Sequence, residues 1–205
     1  MKTKPFVVVC SLVLATVATA AQQQGQGQAQ GQGTSTQRMS QPAGPPPTLI
    51  AEVQTMFNAL KNNITRSAEQ FPEDKYDWSP TPDVRTWGGL LSHIADDNNG
   101  SCFALAGDAQ RPPSLDAGGK PTEAGKGLKK ADINRLLAES FARCDKAFAA
   151  VTSENMMERQ GSRSKVGALI YDTQHISEHY GNIVTYMRLQ NMVPPSSAGR
   201  GRGGL

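Results

Sequence analysis

Four stretches of the chain repeat their apolar residues every three to four positions, the spacing that lines up one face of an α-helix. In the first, Leu49, Ile50, Val53, Met56, Phe57, Leu60 and Ile64 fall in register, which predicts a helix from Leu49 to about Ser67 with Thr48 as its N-cap. The second carries Trp87, Leu90, Leu91, Ile94 and Phe103, from an N-cap at Thr86 to about Leu105. The third places Ile133, Leu136, Leu137, Phe141, Cys144 and Phe148 between an N-cap at Asp132 and Val151. The fourth runs from about Lys165 to Gln190 with Leu169, Ile176, Ile183 and Met187 on its stripe, and Val193-Pro194-Pro195 stops it. No stretch alternates apolar and polar residues with β-branched enrichment, so no strand is expected.

The connections differ in kind. Pro72, Pro80 and Pro82 exclude a regular helix between the first two segments, while Tyr76 and Trp78 predict a loop packed down on the helices. Residues 107 to 130 are rich in Gly, Pro, Lys and Asp and read as a long crossover. A polar connection, Thr152 to Ser164, leads into the last helix. The pattern is that of an all-α, antiparallel four-helix bundle with a long crossover between helices 2 and 3. It occupies residues 48–195, the usual size of one domain.

Both flanks lie outside that pattern. Lys2 and Lys4, the apolar run Phe6 to Val17 and the small-residue site Ala18-Thr19-Ala20 read as a signal peptide over residues 1–20. Residues 21–47 are mostly Gln, Gly, Ser, Thr, Ala and Pro and predict a disordered linker; the Gly- and Arg-rich residues 196–205 predict a loose tail. The protein is therefore expected to be exported, periplasmic or secreted, with no stable membrane association once the signal is removed. Cleavage would remove two of the 21 Lys and Arg and none of the 18 Asp and Glu, leaving a net charge near +1. That balance gives no reason to expect nucleic-acid binding. Cys102 and Cys144 would remain, an even count that allows a disulfide in an oxidising compartment, though two small buried thiols fit as well.

The chemistry concentrates in three histidines. His175 and His179 are four apart, so a helix sets both imidazoles on one face, one turn apart. His93 sits beside Ile94 at the edge of the second helix's stripe. Imidazoles from two helices of one bundle are what a three-histidine metal site with an open position requires. Asp96, Asp97 and Asp172 stand three or four residues from these histidines, each a candidate for an orienting carboxylate, a further ligand or an acid-base group. Glu178 should point to solvent, and Tyr180 either lines a pocket mouth or joins the core. No catalytic residue is singled out beyond these.

The run His175-Ile176-Ser177-Glu178-His179-Tyr180-Gly181-Asn182, with Met192-Val193-Pro194-Pro195 after the helix, resembles the last helix of DinB/YfiT-like proteins. Arg85-Thr86-Trp87-Gly88-Gly89-Leu90-Leu91-Ser92-His93-Ile94-Ala95 is similar to their second. That resemblance covers the whole folded part and implies a divalent-metal site made by His93, His175 and His179. Imidazole ligands suit zinc or nickel, with manganese or iron also compatible. Some relatives are thiol-dependent transferases, so a metal-dependent hydrolase or thiol transferase of unknown substrate is expected. Tyr180-Gly181-Asn182 departs from the His-Arg-Gly-Gln common in the family after the last ligand. The alternative is a non-catalytic metal-binding module, or one that pairs as a homodimer through exposed apolar faces.

Overall fold

The computed structural model describes residues 47–115, 125 and 127–199. The expected signal peptide, almost all of the linker, the middle of the crossover and the end of the tail lie outside the described residues. Four helices carry the fold: α1 (Leu49–Gln70), α2 (Trp87–Cys102), α3 (Lys130–Ala150) and α4 (Lys165–Leu189). Three of them begin where a hydroxyl can take an otherwise orphaned backbone N–H. Thr48 accepts from Ala51, Thr86 from Gly89 and Ser164 from Gly167. The third helix departs from expectation. It starts at Lys130 with no side-chain cap, and Asp132 lies within the first turn, where its charge complements the helix dipole instead.

Side-chain pairings fix the directions. Lys130 Nζ donates to the carbonyls of Glu69 and Phe71, while Phe57 packs on Phe141 and Phe148, so α1 and α3 run in opposite senses. On α2 and α3, Gly88 faces Ile133, Asn98 Nδ2 donates to Ser140 Oγ, and Cys102 bonds Cys144. Those pairs climb in step, so the two helices are parallel. His93 faces His179 and Cys102 faces Asp172, which makes α2 and α4 antiparallel. Two helices therefore run each way, and a parallel α2–α3 pair is what demands the long crossover. Asp96 holds the described start of that crossover, its carboxylate accepting from Ser114 Oγ at 2.6 Å and Leu115 N at 2.8 Å.

The proline-rich loop packs down as its aromatics predict. Phe71 stacks on Trp87 with centroids 3.7 Å apart, and Tyr76 Oη donates to Ala68 O. Gly88 is required at the crossing: a Cβ there would meet Ile133 Cδ1 at 2.9 Å and Tyr76 O at 3.2 Å. The core fills with Phe57, Ile64, Leu91, Ile94, Leu169, Ile176 and Ile183, all fully buried. Five expected core positions are less enclosed, Leu60 among them, which is half-buried. Leu49 and Met56 are about half exposed (46% and 54%), because no element covers that edge of α1; Phe103 and Leu136 are half-buried.

Two further corrections concern short pieces. A hairpin, β1 (Arg159–Gln160) and β2 (Arg163–Ser164), interrupts the polar connection where no strand is expected. Two residues per strand are too few to alternate, and the turn is made by Gly161 at φ +60°. The start of the tail is also docked: Pro195–Ser197 forms a 3₁₀ turn, and Ser196 N donates to Tyr180 Oη at 3.2 Å. Tyr180 is thus a buried anchor for the tail, while Glu178 is exposed as expected.

Cys102 and Cys144 form a disulfide, fully buried between α2 and α3, across 42 residues of sequence. A cross-link closing a loop of that length is worth roughly 4 kcal/mol in the chain-entropy account. The Cys102→Ala/Cys144→Ala double variant should therefore melt about 10 °C lower than wild type in a thermal scan. An unchanged Tm would show that the bridge is dispensable.

Candidate metal centre

Each helix of the α2–α4 pair brings two chemical groups spaced by four residues: His93 and Asp97 on α2, His175 and His179 on α4. Because the helices are antiparallel, the four groups converge at one level of the bundle, half-buried. The ring centroids lie 4.7 Å apart for His93 and His179, 5.4 Å for His93 and His175, and 4.5 Å for His175 and His179. Nε2 of His175 and Nε2 of His179 are 3.0 Å apart. Asp97 Oδ2 stands 3.1 Å from His93 Nε2 and 3.0 Å from His175 Nδ1.

The chemistry of this donor set fits a divalent cation. Two imidazole nitrogens directed at each other at 3.0 Å repel unless a proton or a metal lies between them. That spacing is one that an ion with bonds of roughly 2.1 Å can span. Nδ1 of His179 is buried without a hydrogen-bond partner. Burial and the neighbouring His93, His175 and Arg85 hold the pKa of His179 down to about 3. The ring is therefore neutral at physiological pH, the form that ligates metal.

The three aspartates that the sequence leaves undivided have separate jobs. Asp97 faces the histidines, and Asp96, one residue earlier, turns to the crossover and binds Ser114 and Leu115. Asp172 is fully buried behind the site, with Oδ2 3.9 Å from Cys102 Sγ and 3.7 Å from Cys144 Sγ. Bridged sulfurs carry no S–H to donate, and Asp172 Oδ1 has no hydrogen-bond partner. An ionised carboxylate there would be a dry, unpaired charge. Burial accordingly pushes the Asp172 carboxyl up to about 7; the hydroxyl of Ser101 opposes the rise and the charge of Asp97 adds to it.

Two neighbours of the site escaped the sequence reading. The ring of Tyr171 lies parallel to that of His175 with centroids 6.1 Å apart, and the Arg163 guanidinium sits 4.0 Å over the other end of that aromatic platform. Tyr171 stands four residues before His175, which was the available signal. Arg163 comes from the hairpin and had none. A separate apolar cavity of about 420 Å³ opens between α1 and α4 beside Met56, Leu60 and Ile170, away from the histidines.

Residues 56–181 match the DinB superfamily, and the chain belongs to that superfamily. The superfamily is metal-binding, and His93, Asp97, His175 and His179 form a possible metal site. Among solved structures the fold is similar to a crystal structure of a conserved protein from Enterococcus faecalis. The two share 15% identity with a TM-score of 0.56, over 70% of this chain and 98% of that one. Among curated proteins none matches the chain.

The raised Asp172 carboxyl has a measurable signature. Its folded value of about 7 exceeds the ordinary 3.8, so its contribution to stability is full below pH 4 and is lost as pH rises to 7. His179, with its folded value near 3, acts with the opposite sign between pH 3 and 6.5, so the two trends overlap. The difference between wild type and Asp172→Asn isolates the carboxyl. In urea titrations, wild-type stability relative to Asp172→Asn should fall by a few kcal/mol between pH 4 and pH 7. A difference that stays flat would mean that Asp172 is ionised throughout.

Proposed function

We propose that this is an exported, metal-dependent enzyme, a hydrolase or thiol transferase, whose divalent ion is held by His93, His175 and His179. The single observation that carries the reading is the convergence of three imidazoles and one carboxylate oxygen from two antiparallel helices, in a chain with no other histidine. When bound, the ion would supply Lewis-acid activation of a weak nucleophile such as water or a thiol. The protein's own groups prepare the place. Low polarity keeps His179 deprotonated, so no proton competes for its ligating nitrogen.

Asp97 has the decisive part in choosing between an enzyme and a closed binding site. A fourth protein ligand would leave no position for substrate, which would favour a non-catalytic module. His175, however, turns Nε2 to His179 and Nδ1 to Asp97. With Nε2 committed to the ion, the carboxylate oxygen stands 3.0 Å from the other ring nitrogen, with no hydrogen bond formed there, and 3.1 Å from His93 Nε2. We take it as a partner that steadies the imidazoles rather than as a fourth ligand. A coordination position then stays open. Export is supported by the signal-like first 20 residues and by the Cys102–Cys144 bridge, since such bonds persist in oxidising compartments. Three imidazoles accept zinc, nickel, manganese or iron.

Purified, tag-free protein should carry about one equivalent of metal by elemental mass spectrometry, and His175→Ala should carry none. Wild-type protein that stays empty when offered zinc, nickel and manganese would sink the reading. Asp97→Asn should still fill with one equivalent at saturation but bind it ten- to a hundredfold more weakly in a competition titration. Undiminished affinity would remove Asp97 from the site.

A further inference from the structure

We infer that the groove beside the metal centre is the substrate cleft, and that Arg163 selects a small molecule bearing a carboxylate at the end remote from its reacting group. This inference rests on the metal-centre reading above. The faces that carry His93 and Asp97 on α2, and His179 and His175 on α4, continue one turn further to Gly100 and Ser101 and to Tyr171, with Ala168 a turn beyond. There lies a cavity of about 360 Å³ under the hairpin turn Gly161-Ser162, joined to the histidines through Tyr171, which lines it. Small residues, Ala104 and Ala168, line it on the helix side, and the Arg111 guanidinium lies where a side chain at Gly100 would be.

Arg163 is the single charged residue lining that cavity. It forms no ion pair among the described residues; the nearby carboxylate of Glu158 is taken by Lys165 at 2.7 Å. The guanidinium is nevertheless held in place, 4.0 Å over the ring of Tyr171, and the two-residue hairpin turn fixes its backbone. Tyr171 is in turn 6.1 Å from His175, so the two steps together place the positive charge within about 10 Å of that imidazole. A seated, unpaired guanidinium is a carboxylate receptor. Arg163 is the one cation on the lining itself, and the Arg111 guanidinium beside Gly100 is turned to the carbonyl of Asp96, so a single negative charge is the match. The ring of Tyr171 gives the intervening chain an apolar floor.

Two hydroxamates separate the possibilities, because a hydroxamate chelates a divalent ion with an open position: octanohydroxamate, and the same eight-carbon chain ended by a carboxylate. Each is titrated calorimetrically into metal-loaded, full-length protein whose metal content has first been measured. The carboxylate-ended probe should bind about tenfold more tightly than the neutral one. Arg163→Gln should abolish that preference while leaving metal content and the affinity for octanohydroxamate unchanged, and Arg163→Lys should restore part of it. Tyr171→Phe should keep the preference and Tyr171→Ala lose most of it. Equal binding of the two probes by wild type, no binding of either to metal-loaded protein, or a preference that survives Arg163→Gln would each overturn the assignment. Protein that holds no metal at all would instead fail the metal-centre reading, and this inference with it.

Discussion

Because α2 and α3 run in the same direction, the chain must cross the length of the bundle between them, and α4 is left to lie against α2 with opposite polarity. That antiparallel contact is what the functional part of the molecule depends on. Two pairs of groups spaced by four residues can meet at one level only if their helices are opposed and in the correct register. Here α2 itself is anchored on one side by Trp87 stacked on Phe71 and on the other by the Cys102–Cys144 bridge. Both features lie on α2, one at each end, with His93 and Asp97 between them. The helix that presents half the site is therefore fixed at both ends by contacts that take no part in the chemistry.

The fold was largely legible in the chain because helical periodicity is a local signal. Leu90, Leu91 and Ile94, or Leu169, Ile176 and Ile183, declare their face without reference to any other segment, and all are buried. The histidines were legible for the same reason: the spacing of His175 and His179 is a local fact, and rarity drew His93 to them. The errors came where partners far along the chain decide. Met56 has the correct period for the core but nothing packs over it. Asp132 looks like a cap, yet the helix extends two residues further toward the crossover. Asp96, Asp97 and Asp172 could not be told apart, since one residue of offset sends Asp96 to Ser114 and Asp97 to the imidazoles. Arg163 lay in a stretch too short to show any period, so only its contact with Tyr171 discloses it.

The core also carries a polar seam that a bundle of this size tolerates at a cost. Asp172, Ser140 and Asn98 are fully enclosed near the bridge; Asn98 Nδ2 donates to Ser140 Oγ at 3.0 Å, and that hydroxyl donates on to Leu137 O. Asp172 leaves Oδ1 without a partner, and burial raises its carboxyl to about 7 against the hydrogen bond from Ser101. Burial thus disfavours charge on Asp172 behind the site, while Asp97, among the described residues, sets its Oδ2 beside His93 and His175.

The position of the bridge has a topological corollary. The crossover is the segment that lies between Cys102 and Cys144. A protease that severed the backbone there would yield two fragments, one carrying α1, α2 and His93, the other α3, α4, His175 and His179. Those fragments would remain a single covalent molecule, since the sulfur link joins them at the centre of their shared core. Nicked protein would migrate intact under non-reducing electrophoresis and separate in two when reduced. The metal-binding groups, contributed by both pieces, would stay assembled through such an injury.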